Sequence, residues 1–181
     1  MSERMGVAVI GAGHMGRHHV RVYSELPQVE LVGVVDRNPD KAKEYAEKYH
    51  TQAFTSIEPI LGRIRAASVA VPTVHHLEAA RPLLERGIAV LIETPRAADR
   101  GTARALLEAA RRGGALLQVG HTERFNPVVR AMHAMHVRPR FIETHRISPF
   151  TFRSADVGVV MDMMIHDIDI VLSLVGGRAA R

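Results

Sequence analysis

The segment VAVIGAGHMG, residues 7–16, restricts the fold of this chain more than any other, because a short apolar run breaks there into three glycines. The glycines are spaced Gly11-x-Gly13-x-x-Gly16 and precede a segment with helical character. In such a pattern the first glycine permits a tight turn after a strand, the second lets the backbone approach a pyrophosphate, and the third lets the helix pack on the sheet. Free N–H groups at the helix start favour bound phosphate. The segment therefore predicts a dinucleotide-binding turn, and the alternative is a βαβ unit without a ligand.

An acidic residue follows at the distance that a dinucleotide site requires. The apolar run at residues 31–35 ends in Asp36, twenty residues after Gly16. A carboxylate in this position accepts hydrogen bonds from the adenosine ribose and repels a 2′-phosphate. We therefore predict NAD as the cofactor rather than NADP, although the neighbouring Arg37 could hold a 2′-phosphate.

Strand-like apolar runs alternate with amphipathic helices through the first 122 residues. We predict strands at 7–10, 30–35, 51–55, 67–71, 88–92 and 115–119, and helices at 14–26, 38–49, 57–61, 75–86 and 99–112. This alternation is typical of a parallel sheet covered by helices on both faces. Residues 1–122 are therefore predicted to form an α/β domain, a doubly wound parallel sheet of Rossmann type.

Composition excludes several classes of protein. The chain has 181 residues with 46% apolar content, enough for a buried core, and it has no cysteine for disulfides or thiolate metal sites. We predict no metal site and, because no long apolar leader is present, a cytoplasmic location. The net charge of +5 could favour nucleic acid, but the basic residues are scattered and few aromatic residues lie among them. A nucleic-acid-binding module is therefore the least favoured class.

Residues 123–181 have a different pattern, which predicts an incomplete second domain of α+β type. Asn126 and Pro127 form a cap and first residue for a helix to about 136, and residues 140–147 are predicted to be a strand. The segment 156–175 is apolar almost all round and is predicted to be a helix. Its several ionisable groups exclude a membrane span, because they would be costly in lipid.

Three of the polar residues in that last helix recur at helical spacing. Asp162, His166 and Asp169 are spaced i, i+4 and i+7, so a regular helix would place them on one face. The two aspartates could orient the imidazole and stabilise its charge, which would make His166 a candidate for proton transfer. The alternative is a hydrogen-bonded core histidine.

Several motifs together resemble the Gfo/Idh/MocA oxidoreductases, the family of glucose-fructose oxidoreductase and inositol dehydrogenase. The matching segments are GAGHMG at 11–16, VVD at 34–36, VPTVHH at 71–76, ETP at 93–95, GHTERFNP at 120–127 and the Asp162-x-x-x-His166 pair. The last two are similar to the branch that oxidises nucleotide sugars. The resemblance implies a nicotinamide-dependent dehydrogenase whose substrate is a sugar or UDP-sugar.

The resemblance also implies a role for each matched residue. The cofactor-binding residues are predicted to be Gly11, Gly13, His14, Met15, Gly16, Asp36, Arg37, Val71, Pro72, Thr73, His76, Glu93 and His121. The substrate-binding residues are predicted to be Arg124, Asn126 and Asp169, and the catalytic ones His166, Asp162 and Thr94. Pro72, Glu93 and His121 also fall at predicted carboxyl ends of parallel strands, where open α/β sheets bind ligands. Singly, each has a structural alternative: Pro72 could end a strand, Glu93 could cap a loop, and His76 could be an exposed helix residue.

One residue departs from the family pattern. The family has Glu-Lys-Pro where this chain has Glu93-Thr94-Pro95, and a threonine hydroxyl does not exchange a proton near neutral pH. The three lysines, at 41, 43 and 48, all follow Asp36 on the predicted adenosine side. Because a positioned acid or base contributes about 10²- to 10⁴-fold in rate, we expect cofactor binding with impaired turnover.

The length of the chain is a second departure. Family members continue into an open sheet that forms the other wall of the substrate cleft, whereas this chain ends at Arg181. We therefore expect a truncated product, a fragment or a naturally minimal form. The apolar helix at 156–175 would have to fold back on the nucleotide domain or dock on another chain, so a homo-oligomer, most simply a dimer, is predicted.

Two functions remain open from the residues. The first is an NAD-dependent oxidoreductase in which His166 takes the hydroxyl proton of a sugar. The second is an NAD(H)-binding protein with little or no catalysis, acting as a sensor or a subunit. Measured turnover separates the two.

Overall fold

A six-stranded parallel sheet organises the first 120 residues of the chain. The computed structural model describes residues 4–136, 139–147 and 158–176. The strands in these ranges are β1 (Met5–Ile10), β2 (Val29–Val35), β3 (Gln52–Phe54), β4 (Ala66–Val69), β5 (Ala89–Ile92) and β6 (Leu117–Val119). Their order in the sheet is β3-β2-β1-β4-β5-β6. The order reverses between β1 and β4, which is where open parallel sheets bind ligands.

Helices connect the strands and cover both faces of the sheet. The α-helices in the described residues are α1 (Gly16–Glu25), α2 (Pro39–Lys48), α3 (His76–Leu84), α4 (Arg100–Gly113), α5 (Pro127–Ala134) and α6 (Ile165–Val175). From the centre of the sheet the chain winds outward in two directions, and right-handed crossovers then place α1 and α2 on one face and α3 and α4 on the other. The predicted doubly wound α/β fold is confirmed.

The alternation of side chains along the strands produces two cores. Successive strand residues point to opposite faces of a sheet. The smaller core consists of Val9, Ala12, Val20 and Val34. The larger core includes Ile10, Val69, Leu83, Leu84, Ile92 and Leu106. Neighbouring residues such as Val9 and Ile10 therefore stabilise different layers, so β1 is buried on both faces.

Local signals in the sequence set the helix ends. The side chain of Asn38 accepts a hydrogen bond from the Asp40 N–H at 3.0 Å, which caps α2. The side chain of Asp99 accepts one from the Thr102 N–H at 2.9 Å, which caps α4. Gly114 follows α4 with φ of 63°, a left-handed conformation that glycine adopts without strain. These ends lie within a few residues of the predicted ones.

The predicted strand at residues 140–147 is wrong. Residues 139–147 contain no strand in the structure. A strand needs a partner for its backbone N–H and C=O groups, and this segment has none in the described part of the chain. The guanidinium of Arg146 instead binds the carboxylate of Asp167 at 2.9–3.1 Å.

The last helix is less regular than predicted. A π-helical turn at Val160–Met164 precedes α6, and the predicted start at residues 156–157 lies outside the described residues. A π-turn inserts one extra residue into the hydrogen-bond ladder, so it shifts the faces of the helix that follow it. The predicted stripe crosses this turn, because Asp162 lies inside it and His166 lies after it.

The chain divides into two compact units, Met1–Gly120 and His121–Arg181. We call them the N-terminal unit and the C-terminal unit. The predicted division after residue 122 lies two residues further along the chain. No helix among the described residues combines the length and the apolar character needed to cross a bilayer.

Candidate functional site

The three glycines of the first turn differ in what an added side chain would meet. Gly11 has φ of +94°, and a Cβ there would lie 2.8 Å from the backbone of Ala70. A Cβ on Gly16 would lie 1.8 Å from the carbonyl oxygen of Gly11. A Cβ on Gly13 would meet no atom within 4 Å. The fold thus requires glycine at 11 and 16, whereas position 13 faces open space of the kind that a pyrophosphate would fill.

The start of α1 is arranged differently from the starts of α2 and α4. It has no side-chain cap and no acidic residue in its first turn. The N–H groups at a helix start carry partial positive charge and favour an anion. Of the two residues between the second and third glycines, His14 is exposed and Met15 is half-buried. The turn therefore fits a dinucleotide phosphate.

Asp36 is fixed at the carboxyl end of β2 by two backbone donors. Its Oδ2 accepts from the Ala12 N–H at 2.7 Å and its Oδ1 from the Asn38 N–H at 2.8 Å. Each carboxylate oxygen keeps a further lone pair, so the side chain can also accept from a ribose diol. The bond to Ala12 places this carboxylate directly beside the glycine turn.

Arg37, the residue after Asp36, is paired with an acidic side chain of α3. Its guanidinium binds Glu78 at 2.5 Å, and both side chains are largely exposed. Exposed ion pairs of this kind contribute about 0–1 kcal/mol, so the arginine is free to exchange partners. In this structure the charge of Arg37 is balanced by Glu78.

Two segments that contain predicted cofactor-binding residues follow adjacent strands. Residues 71–73 follow β4 and residues 93–95 follow β5, and these strands are paired in parallel. Pro72 is exposed, Thr94 is half-buried and Glu93 is only 7% exposed. A Cβ on Gly120 would lie 3.3 Å from both carboxylate oxygens of Glu93, so glycine there makes room for the carboxylate.

The partner of Glu93 is a residue that the sequence analysis missed. Nε2 of His19 lies 2.6 Å from Oε1 of Glu93, and both side chains are largely buried. His19 is the third residue after Gly16, so helical spacing places it on the same side of α1, facing the sheet. That spacing could have identified His19 as a residue that faces the sheet, although not its pairing with Glu93. The pair ties the helix of the glycine turn to the end of β5.

His76, predicted to contact the cofactor, is enclosed by the protein. It is 1% exposed. Its Nδ1 lies 3.1 Å from the carbonyl oxygen of Arg96 and its Nε2 lies 2.9 Å from that of Val71. Both ring nitrogens thus face backbone acceptors. The exposed-residue alternative for His76 is wrong, and any effect of this ring on a ligand would be indirect.

In the C-terminal unit, Asp169 and Arg124 form a forked ion pair. The two carboxylate oxygens accept from Nε and Nη2 of Arg124 at 2.6 Å each, and Asp169 is 8% exposed. Burial by itself would raise the pKa of Asp169. The Arg124 hydrogen bonds and the charges of His121, Arg124 and His166 outweigh burial, so this pKa is lowered. Asp169 is therefore an anion wherever this unit is folded near neutral pH.

His166 is not held by the two aspartates in the way the stripe suggested. Its Nδ1 is buried and has no hydrogen-bond partner among the described residues. Asp169 lies close enough for their charges to interact, but its carboxylate is bonded to Arg124. The π-helical turn changes the spacing to Asp162. Among the described residues, no hydrogen bond joins the ring of His166 to the carboxylate of Asp162 or Asp169, so the predicted orientation of the ring by these two side chains is not seen.

Asn126 and His121 have visible contacts in the same unit. The side chain of Asn126 accepts from the Val128 N–H at 3.0 Å and donates to Glu123 at 3.2 Å, so it caps α5. Nδ1 of His121 lies 3.9 Å from Oδ1 of Asp169. The structure thus places His121 and Arg124 around the buried carboxylate of Asp169.

Comparison with known proteins gives a consistent result. The family model for the Gfo/Idh/MocA proteins, described as "Oxidoreductase family, NAD-binding Rossmann fold", matches residues 5–121. UDP-N-acetylglucosamine 3-dehydrogenase of Acidithiobacillus ferrooxidans is 38% identical over 96% of this chain and 55% of its own length. Its solved structure superposes with a TM-score of 0.90 at 35% identity, over 99% of this chain and 59% of that one.

Two further relatives extend the comparison. Inositol 2-dehydrogenase of Streptomyces avermitilis is 32% identical over 97% of this chain and 54% of its own length. The structure of GenD2 from gentamicin A biosynthesis, in complex with NAD, has a TM-score of 0.85 at 29% identity, over 100% of this chain and 56% of that one. The chain thus spans just over half the length of these relatives. On the family match and on these identities, the chain belongs to the Gfo/Idh/MocA family of oxidoreductases with an NAD-binding Rossmann fold.

Proposed function

We propose that this chain binds NAD(H) as part of an oxidoreductase that acts on a hydroxyl group of a sugar or nucleotide sugar. The observation that carries the proposal is the open space at Gly13, between two glycines that the fold itself requires. A fold without a ligand has no steric need for glycine at that position. The names of the relatives, a UDP-sugar dehydrogenase and an inositol dehydrogenase, support the substrate class.

We propose NAD rather than NADP because of Asp36. Its carboxylate is held beside the glycine turn by the Ala12 N–H at 2.7 Å, where it can accept from a ribose diol. A 2′-phosphate in the same place would meet a fixed negative charge. Arg37, the residue that could neutralise such a phosphate, lies in an exposed pair with Glu78 from which it can exchange, so the proposed preference rests on Asp36.

The proposed chemistry is oxidation of an alcohol to a carbonyl. The nicotinamide, when bound, supplies the hydride acceptor. His166 takes the hydroxyl proton on its imidazole ring. Near His166, the hydrogen bonds from Arg124 keep the carboxylate of Asp169 charged. Thr94 stands where the family has a lysine, so we propose that turnover is slow.

Thr94 also supports a second candidate function. Thr94 cannot exchange a proton near neutral pH, and its backbone N–H lies 3.3 Å from Oε2 of its neighbour Glu93. If no other group supplies the proton transfer, the chain binds NAD(H) and does not turn over. It would then act as a sensor or as a subunit of a larger assembly.

The cofactor proposal is tested by Gly13→Ala. We expect this variant to fold normally, because the added Cβ meets no protein atom within 4 Å, and to bind NADH about tenfold more weakly or worse, because the methyl group overlaps the bound pyrophosphate. Titration calorimetry with NADH gives the affinity, and circular dichroism gives the fold. Gly62→Ala is the matched control, since a Cβ there also meets nothing within 4 Å. Equal NADH affinity in Gly13→Ala and wild type would refute the proposal.

We also propose that the chain self-associates through its C-terminal unit. Large apolar side chains are exposed on α5 and along the π-helical turn and α6, namely Val128, Met132, Met135, Val159, Val160, Met161, Met164, Ile168, Leu172 and Val175. Exposed apolar surface on this scale is typical of an interface. A second copy of the chain presents the same surface and can bury it.

A further inference from the structure

His76, the first residue of α3, has no role in the proposed chemistry. His76 is 1% exposed and follows the loop after β4 along the chain. Histidine is buried to this degree less often than apolar residues of its size, and a buried polar ring requires hydrogen-bond partners. The partners of His76 therefore indicate what the ring does.

The two partners belong to different loops. The carbonyl of Val71, 2.9 Å from Nε2, lies in the loop that follows β4. The carbonyl of Arg96, 3.1 Å from Nδ1, lies in the loop that follows β5. Within the described residues, the last backbone hydrogen bond between these two segments runs from the Glu93 N–H to the Val69 carbonyl, at 3.0 Å. Beyond that point the imidazole of His76 bridges them.

The order of the strands indicates which part of a bound dinucleotide these loops would meet. Asp36 at the end of β2 marks the adenosine ribose, and the glycine turn after β1 marks the pyrophosphate. The next strands in the sheet are β4 and β5. A dinucleotide extended along the carboxyl edge therefore places its nicotinamide half over the two loops that His76 bridges.

We propose that His76 is a positioning residue, which holds the loops after β4 and β5 at a fixed separation so that the nicotinamide half of the cofactor meets a preformed surface. This inference rests on the proposed function, because it presupposes a bound dinucleotide. It assigns His76 no contact with the ligand. A side chain that keeps two loops in place reduces the ordering cost of binding and so raises affinity.

The protonation state of the ring decides how many of the two bonds exist at once. A neutral imidazole has one N–H donor, and only the imidazolium has two. Burial lowers the pKa of His76, although the carbonyls of Arg96, Val71 and Pro95 and the negative charge of Glu93 act in the opposite direction. Near neutral pH the ring is therefore neutral: one nitrogen donates to the carbonyl of one loop, and the other nitrogen packs against the carbonyl of the second loop, so the ring spans both. A side chain with one correctly placed donor should then preserve much of the effect.

The test compares two ligands in four proteins. NADH covers both halves of the site, whereas ADP covers the adenosine half and the phosphates alone. The variants are His76→Leu, which removes both ring nitrogens, His76→Gln, which keeps an amide donor, and His75→Leu, the same change on a half-exposed neighbour. Calorimetric titrations give the ratio of NADH to ADP affinity for each protein.

We expect His76→Leu to lower this ratio about five- to tenfold, the effect of losing one bridging hydrogen bond, with ADP affinity unchanged. His76→Gln should stay within about threefold of wild type, and His75→Leu should match wild type. A second donor-free variant, His76→Met, is measured in parallel in case His76→Leu does not fold. If His76→Leu leaves the ratio unchanged, or weakens the binding of NADH and ADP equally, the positioning role of His76 is wrong and the proposed function is unaffected. If wild type binds neither ligand, both the positioning role and the proposed function are wrong.

Discussion

Asp36 combines two tasks in one side chain. It accepts from the backbone N–H groups of Ala12 and Asn38, so it joins the glycine turn to the start of α2. The same carboxylate carries the negative charge on which the proposed preference for NAD depends. A substitution that separates the charge from the hydrogen bonds can therefore test the preference without removing the side chain.

Asp36→Asn comes nearest to that separation, because it removes the charge and only one of the two acceptors for the backbone N–H groups of Ala12 and Asn38. The amide keeps one acceptor oxygen but loses the charge, so we expect NADH affinity to fall about tenfold, because charge-assisted hydrogen bonds are roughly twice as strong as neutral ones. NADPH affinity should stay the same or rise, because the repulsion of its 2′-phosphate is removed. Calorimetry with both cofactors measures the change. Asp40→Asn, an exposed carboxylate in the first turn of α2, is the control. Tighter binding of NADPH than of NADH by wild type would contradict the assignment.

We propose that Thr94 limits turnover once the cofactor is bound. We expect wild type to bind NAD(H) yet to oxidise UDP-N-acetylglucosamine or simple polyols slowly or undetectably. Thr94→Lys should raise turnover toward the 10²- to 10⁴-fold that a positioned acid or base contributes, but only where enough of the substrate cleft is present. Nicotinamide absorbance follows the reaction. We expect little gain in this chain alone, which spans 55% of the length of its UDP-N-acetylglucosamine 3-dehydrogenase relative, and a larger one when the rest of that length is supplied.

His166→Ala is the companion variant for that assay. It should abolish any activity of wild type or Thr94→Lys and leave NADH affinity unchanged, since the ring is assigned to the substrate proton. Rate ratios convert directly to barrier changes. Fast turnover by wild type that persists in His166→Ala would disprove both the role of His166 and the effect assigned to Thr94.

At the scale of elements, one ion pair links two parts of the C-terminal unit. Arg124 lies in the short 3₁₀ turn Thr122–Phe125 that precedes α5, and Asp169 lies in α6. The forked bonds of 2.6 Å join them across 45 positions of sequence. Because Asp169 is buried and Arg124 is half-exposed, the pair orders this unit more than an ordinary surface pair would.

The lowered pKa of Asp169 gives this pair a pH dependence of known sign. A carboxyl group whose folded pKa lies below its usual value of 3.8 stabilises the fold above that pH and loses the contribution as pH falls through the folded pKa. We expect acidification below about pH 4 to destabilise wild type more than Asp169→Asn. Near neutral pH, Asp169→Asn should cost about 1–3 kcal/mol. Thermal unfolding followed by circular dichroism over pH 3–7 measures both effects, and parallel pH profiles for the two proteins would contradict this prediction.

At the scale of the whole molecule, the C-terminal unit leaves many apolar side chains exposed. The described part of this unit has one buried apolar residue, Val129. Ile168 and Leu172, on one face of α6, are 44% and 36% exposed. Burial of such side chains contributes about 25 cal/mol per Å², so covering this surface stabilises the unit substantially.

We therefore expect a dimer in solution. Light scattering at tens of micromolar (about 10⁻⁵ M, where weak interfaces are still populated) should give twice the mass of the chain. Leu172→Glu should shift the equilibrium to monomer by placing a charge in the interface, whereas Glu108→Ala on α4 should not. A monodisperse wild-type monomer at that concentration would rule out the proposed association.

Short-range patterns determined most of the N-terminal unit. The glycine spacing, the caps at Asn38 and Asp99 and the period of the apolar residues act over a few residues, and these local terms agree with the final fold. They also identified Asp36, because its distance from Gly16 follows from a fixed strand–helix–strand unit. The same rules located α5, whose cap is Asn126.

Only the tertiary structure decided the contacts between distant positions. His19 meets Glu93 across 74 positions, and His76 meets Arg96 across 20, so no local pattern showed that either pair would form. The missing strand at 140–147 and the π-helical turn before α6 have the same origin. A strand depends on a partner, and helix regularity depends on packing, so residues with suitable local propensity take another form when those neighbours differ. By itself the sequence determined the fold class and the dinucleotide turn, whereas the arrangement of buried histidines and carboxylates followed from the way the chain packs.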